Sequence, residues 1–113
     1  MNIAIVDNER TIGDLIGIML ERQGHEVTKF NSYEFVSGGY DAYFLDHDIK
    51  GSEINGGIWL KHHENVVPFY KRVLMSGADG WNQYNFKKAY ELPKPFSLKE
   101  ISTAIGWVKY LKD

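Results

Sequence analysis

Two acids, a hydroxyl and a lysine, each closing a separate apolar run, are the residues of this chain best placed to do chemistry. Asp7 follows Ile3-Ala4-Ile5-Val6, and Asp46 follows Ala42-Tyr43-Phe44-Leu45. Ser76 follows Val73-Leu74-Met75, and Lys94 stands between Pro93 and Pro95. An aspartate carboxylate takes a phosphoryl group to give an acyl phosphate. That transfer needs positioning and positive charge against the phosphoryl oxygens more than covalent work by other groups. Magnesium suits such a site, because it takes hard oxygen ligands in an octahedral shell and keeps some waters. Asp46 is the candidate acceptor. Asp7, Asp46 and the backbone carbonyl near Asp48 are candidate magnesium ligands, with Asn8 binding directly or through water. Lys94 supplies a point charge for one phosphoryl oxygen, its backbone restricted by the flanking prolines. Ser76 donates to another oxygen, and Gly77 leaves the approach open. Alone, each residue has an ordinary explanation: a helix cap, a turn, a solvated charge. Four of them at four strand ends is an uncommon coincidence.

The elements that must position them are read from periodicity. Residues 3–6 are a continuous apolar run, as in a strand buried on both faces. Asn8 or Thr11 caps a helix whose apolar set is Ile12, Leu15, Ile16, Met19 and Leu20, with Gly24 as terminator. Residues 26–30 read as a more polar strand near a sheet edge. Residues 32–38 give at best a short helix, ended by Gly38-Gly39. Residues 42–45 form a buried strand, a helix lies near 57–64, and a fourth strand covers 71–75. Residues 78–87 have only weak helical periodicity, and residues 88–92 read as a fifth strand. Ser97 and Glu100 form a capping box for a last helix, whose buried face is Ile101, Ala104, Ile105, Val108 and Leu111. Trp107 lies off the centre of that stripe and is expected to be partly exposed. Strand-helix alternation of this kind predicts a parallel sheet with helices on both faces. Ligands of such sheets bind beyond the carboxyl ends of the strands, near the point where strand order reverses.

The bulk composition narrows the classes. The chain has 113 residues, enough for one domain with a core. Hydrophobic residues make up 43% and charged residues 25%, the balance of a soluble globule. A net charge of -2 gives no electrostatic case for nucleic acid or an anionic membrane. There is no cysteine, so disulfide and thiol chemistry are excluded, and a cytoplasmic setting is expected. No apolar stretch approaches a membrane span. His62, His63 and Glu64 do not read as a zinc site, because adjacent helical histidines diverge. Trp81, Tyr84 and Phe86 either cover the sheet or form a partner patch.

The ordered set Asp7-Asn8-Glu9, Asp46, Ser76-Gly77 and Lys94-Pro95-Phe96 resembles the receiver domain of bacterial two-component response regulators, across nearly the whole chain. The resemblance implies a flavodoxin-like α/β fold with a five-stranded parallel sheet in order 2-1-3-4-5, the order of the flavodoxin and receiver examples of doubly wound sheets. It implies a single receiver domain over residues 1–113 with no output module. Asp46 would be phosphorylated with Mg2+ as cofactor, by a histidine kinase or phosphotransfer protein. A downstream protein would be the target of docking, and the chain would be a monomer or weak dimer. Only self-phosphorylation and self-dephosphorylation chemistry is expected, without enzymatic turnover of an external substrate.

Three departures from the family pattern stand out. Asn8 replaces one acid of the usual pair after the first strand. The intervals from Asp7 to Asp46 and from Ser76 to Lys94 are short, so the second and fourth helices of the pattern should be trimmed. The switch aromatic three residues before the lysine is Glu91, with Tyr90 one place off; because side chains alternate along a strand, only a bulge would restore Tyr90. Asn8 and Glu91 therefore support an alternative, a pseudo-receiver that binds partners without phosphate. Asp46-His47-Asp48 also looks like the signature of small receiver-like proteins that process cyclic phosphates, although those lack a clear Lys-Pro-Phe. Otherwise His47 is a loop histidine bonded to nearby backbone. The order Asp-x-Asp, Ser76, Lys94 also fits a haloacid-dehalogenase-like phosphatase superficially, but its nucleophile normally ends the first strand and its lysine precedes a further acidic pair.

Overall fold

The run Ile3-Ala4-Ile5-Val6 has no polar side, and a strand of that kind must be covered on both faces and both edges. In the computed structural model it is part of β1 (Asn2–Val6), which lies between β2 (Glu26–Phe30) and β3 (Ala42–Asp46). The structure describes residues 1–7, 10–47, 49, 54–63, 67, 72–76, 90–93 and 97–112; the side chains of residues 10–12, 76, 90, 93 and 108–112 are outside that description. The remaining elements are α1 (Arg10–Arg22), α2 (Gly56–His62), β4 (Arg72–Ser76), β5 (Tyr90–Pro93) and α3 (Leu98–Lys112). The five strands are parallel, as the alternating pattern predicts, and their order β2-β1-β3-β4-β5 is the one the receiver resemblance implies.

The core has two halves, one on each face of the sheet. Ile3, Ile5, Phe44, Val73, Met75 and Leu92 face α1 and α3, where Ile16, Leu20, Ile101, Ala104 and Ile105 meet them. Ala4, Val6, Tyr43, Leu45 and Leu74 face the other way, against Tyr33, Trp59 and Leu60. Trp107 is partly buried beside the first half, matching its place off the stripe centre. Leu15 does not match: it is 41% exposed. The arc of α1 against the sheet runs through Gly13, Ile16, Gly17 and Leu20, and Leu15 falls outside it. Val108 and Leu111 lie outside the described side chains.

Local signals set the ends of the elements. Gly24 follows α1 with φ 89° and closes a Schellman motif. Its N–H donates to the Glu21 carbonyl at 3.0 Å, and the His25 N–H donates to Leu20 at 3.1 Å. A Cβ at Gly24 meets nothing within 4 Å, so only backbone strain opposes a side chain there. Gly24→Ala is therefore expected to cost about 1–2 kcal/mol in urea unfolding, the penalty of an L-residue in the left-handed region. The Ser97–Glu100 box forms as predicted, with N–H to carboxylate at 3.1 Å and the returning N–H to hydroxyl at 3.3 Å. Asn55 caps α2 through its side-chain oxygen, which accepts from the Ile58 N–H at 2.9 Å.

The segment read as a short helix over 32–38 contains bends and one turn, and no helix. The second helix of the pattern is thus replaced by a loop. The fourth, over 78–87, lies outside the described residues. Among the described residues, no helix is long and apolar enough to cross a membrane.

Candidate functional site

Strand order reverses between β1 and β3: the chain leaves β1 for β2 on one side and returns to β3 on the other. Two strands leaving in opposite directions open a crevice beyond their carboxyl ends. Asp7 and Asp46 stand at that point. Val6 pairs with Leu45; Asp7 is the residue that follows Val6 at the end of β1, and Asp46 follows Leu45 as the last residue of β3. Adjacent strands are about 4.8 Å apart, so the two acids start from neighbouring backbone positions. Side chains alternate along a strand. Ile5 and Phe44, two places back, face α1 and α3, which puts Asp7 and Asp46 on that same side. A Cβ added at Gly13 would touch the Asp7 Cβ at 4.0 Å, so α1 passes directly over this acid.

Both acids are buried, Asp7 to 6% exposure and Asp46 to 5%. Two like charges brought together in a buried site favour a cation between them. The donor set fits magnesium, which commonly takes one or two carboxylates and completes its shell with carbonyl oxygens and waters. Among the described residues no group of three or more His, Cys, Asp or Glu side chains gathers that could hold a metal ion.

The strands beyond β3 carry the row onward. Asp46 pairs with Met75, and Ser76 follows as the last residue of β4, paired with Pro93 at the end of β5. The backbone of Ser76 therefore reaches the same rim as Asp46, one strand over. Lys94, Asn8 and Asp48, expected as point charge and metal ligands, lie outside the described residues, as does the Ser76 hydroxyl. The β4–β5 register runs unbroken from Val73–Tyr90 to Ser76–Pro93. No bulge in this stretch moves Tyr90 into the place of Glu91. Glu91 pairs with Leu74 and is exposed.

His47, expected as a loop histidine bonded to nearby backbone, is 3% exposed. Its N–H donates to the Met75 carbonyl at 3.3 Å, and its carbonyl accepts from the Gly56 N–H at 2.8 Å. That second bond ties the start of α2 to the residue after Asp46. His62 and His63 each turn Nδ1 toward the carbonyl four residues earlier, at 2.8 and 2.7 Å. A carbonyl only accepts, so Nδ1 carries the proton in both rings.

Sequence reading missed an aromatic group beneath the site. Tyr33 is 1% exposed, and its hydroxyl donates to the main-chain carbonyl of Asp46. Its ring lies 5.5 Å from Trp59, which packs 6.0 Å from Tyr43 and stacks on His63 at 4.3 Å. The Tyr43 hydroxyl donates to the Ser37 carbonyl at 3.1 Å and accepts from the Tyr40 N–H at 3.2 Å. Two tyrosine hydroxyls thus pin the loop over residues 31–41 in place of a helix. The only signal for this was a few large aromatics in a polar, glycine-ended segment.

Burial pushes the Tyr43 phenol above its ordinary value of 10.0, opposed by the Tyr40 N–H. The unfolded phenol ionises first as pH rises, so this group's contribution is intact below about pH 10 and is lost as pH climbs through the folded pKa. Urea midpoints measured from pH 8 to pH 11 should therefore fall at the alkaline end. Tyr43→Phe should fall less steeply there, while losing about 1 kcal/mol at neutral pH with its hydrogen bonds.

No family model matches the chain, and no curated protein does either. Solved structures do. A two-component response regulator from Clostridium difficile superposes with TM-score 0.80 at 19% identity, covering 100% of this chain and 98% of that one. NtrX from Brucella abortus, in complex with ADP, gives 0.78 at 24% identity over 98% of this chain; the match spans only 27% of the NtrX chain. Response regulator TrrA from Thermotoga maritima, in complex with Mg2+-BeF, gives 0.75 at 21% identity, covering 95% and 97%. The chain has the receiver-domain fold of response regulators.

Proposed function

We propose that the chain is a phospho-acceptor receiver: Asp46 takes a phosphoryl group in a magnesium-dependent reaction, and the change alters docking to a partner protein. The observation that carries this reading is the pair of buried aspartates on adjacent strands at the reversal point. A helix cap or solvated turn would not bury two acids side by side.

In the forward step a carboxylate oxygen of Asp46 attacks phosphorus. The Oδ–P bond forms as the bond from phosphorus to the donor breaks, and the donor leaves with that electron pair. From a phosphohistidine of a kinase or phosphotransfer protein the leaving group is the imidazole; from acetyl phosphate it is acetate. In the reverse sense a water attacks phosphorus, loses its proton to solvent, and the aspartate departs as carboxylate with inorganic phosphate released. Bound magnesium would offset the charge on the phosphoryl oxygens. Asp7 and Asp46 would hold it, with the Asp48 carbonyl and Asn8 as further ligands. An amide at Asn8 still accepts from a bound water, so its neutral side chain weakens the site without removing it. Lys94 would pair with a second oxygen, and the Ser76 hydroxyl would donate to a third.

The usual aromatic on the fifth strand is replaced by the exposed Glu91. The conformational response would therefore travel by another route, with phosphorylation shifting the population of a docking-competent state.

Beryllofluoride, which mimics a phosphoryl group on aspartate, gives the test. With magnesium it should shift the amide resonances of residues flanking Asp7 and Asp46, and without magnesium it should not. No shift with magnesium present favours a pseudo-receiver that docks partners without phosphate, the reading Asn8 and Glu91 support. Hydrolysis of a generic phosphomonoester would instead favour a phosphatase.

A further inference from the structure

Asp46 ends β3 one residue beyond its last registered pair with β1, Leu45 with Val6. Reaching past that ladder is what brings the acid to the rim. It also leaves the peptide after Asp46 to be fixed by groups from outside the two strands. Tyr33 supplies one: its hydroxyl donates to the Asp46 carbonyl oxygen across a buried contact. The carbonyl carbon and the carboxylate-bearing Cβ share the Asp46 Cα. Holding that carbonyl therefore restrains the direction in which the carboxylate leaves the strand.

Tyr33 is itself held. Its ring rests on Trp59 at 5.5 Å and 32°. Its own carbonyl accepts from the Val36 N–H at 3.3 Å, and Ser37, farther along the loop, is tied to the Tyr43 hydroxyl at 3.1 Å. The hydroxyl is presented by a packed ring on a braced loop, the arrangement that keeps a reactive group within a few tenths of an ångström.

We propose that Tyr33 is a positioning residue for Asp46, and that the loop over residues 31–41 thereby sets the rate at which Asp46 accepts a phosphoryl group. This rests on the phospho-acceptor reading above. Tyr33 exchanges no proton in the reaction. The Asp46 Oδ–P bond forms, the P–O bond of acetyl phosphate breaks, and acetate takes the electron pair. Tyr33 acts only through the Asp46 peptide, by limiting the angles from which the carboxylate can attack.

Two variants separate positioning from packing. Tyr33→Phe keeps the ring and deletes the donor. Trp59→Phe removes the indole N–H and part of the ring beneath Tyr33, but keeps the Tyr33 hydroxyl and the loop hydrogen bonds that place it. Single-turnover labelling from acetyl phosphate is followed over a range of donor and magnesium concentrations, with thermal melting alongside. For Tyr33→Phe the rate at saturating donor should fall about 5- to 10-fold, the worth of one buried hydrogen bond, with the half-saturating magnesium concentration unchanged. Trp59→Phe should lower the melting temperature more than Tyr33→Phe, yet label at close to the wild-type rate. A Tyr33→Phe rate equal to wild type overturns the proposal. So does a Trp59→Phe rate as slow as that of Tyr33→Phe, since packing alone would then account for the effect. If wild type itself takes no label, the phospho-acceptor reading falls and this inference with it, an outcome distinct from either variant result.

Discussion

Asp46→Asn is expected to abolish phosphoryl uptake, reducing labelling from acetyl phosphate by more than about 1,000-fold, as when a nucleophile is removed from other covalent sites. An amide of nearly the same shape replaces the carboxylate, and it has no anionic oxygen to attack phosphorus. The fold should survive, because Tyr33 bonds the main-chain oxygen of Asp46 and not its side chain. In the absence of magnesium the variant should in fact be more stable than wild type, by on the order of 1 kcal/mol. Asp7 and Asp46 are buried at neighbouring strand ends, and removing one charge relieves their repulsion. Added magnesium should reverse the ranking, stabilising wild type and leaving Asp46→Asn nearly unmoved. Urea unfolding with and without magnesium reads both signs. Equal magnesium stabilisation of the two proteins would place the metal somewhere other than this pair.

The largest loss of stability is expected at Trp59. Its side chain is 2% exposed and bridges Tyr33, Tyr43 and His63. Trp59→Ala should cost about 3–5 kcal/mol, the range for emptying a buried aromatic site. That is a large share of the roughly 5–15 kcal/mol of a typical domain. The half of the core facing α2 rests on this ring, because the loop over residues 31–41 offers Tyr33 and Val36, with Tyr40 partly buried, where a helix would offer a full face. The cost should not add to that of Tyr33→Phe, since the two side chains touch. A measured loss below about 1 kcal/mol would mean that the aromatic stack carries little of the fold's stability.

The sheet was legible because β1 and β3 are apolar without alternation, and only strands covered on both faces carry such runs. The reversal point was legible for a related reason: Asp7 and Asp46 each break an apolar run at its carboxyl end. The Ser97–Glu100 box and Gly24 work within a few residues, so their spacing was enough. Leu15 was misplaced because periodicity gives the direction of a helix's buried stripe but not its width. The loop over residues 31–41 was misread for a deeper reason. Its conformation is held by Tyr43 from a later strand and by the carbonyl of Asp46, and local propensity contains neither. Glu91 could be seen as a departure, but whether a bulge compensates depends on strand register, which the unbroken β4–β5 pairing answers for residues 90–93.

The central claim is that Asp46 forms an acyl phosphate, and borohydride trapping tests it most directly. Borohydride reduces an aspartyl phosphate to homoserine and leaves a free carboxylate untouched. After incubation with acetyl phosphate and magnesium, peptide mass spectrometry should find homoserine at position 46 and nowhere else, and none when magnesium is withheld. Homoserine at another acid, or none at all while a known receiver labels in parallel, would contradict it.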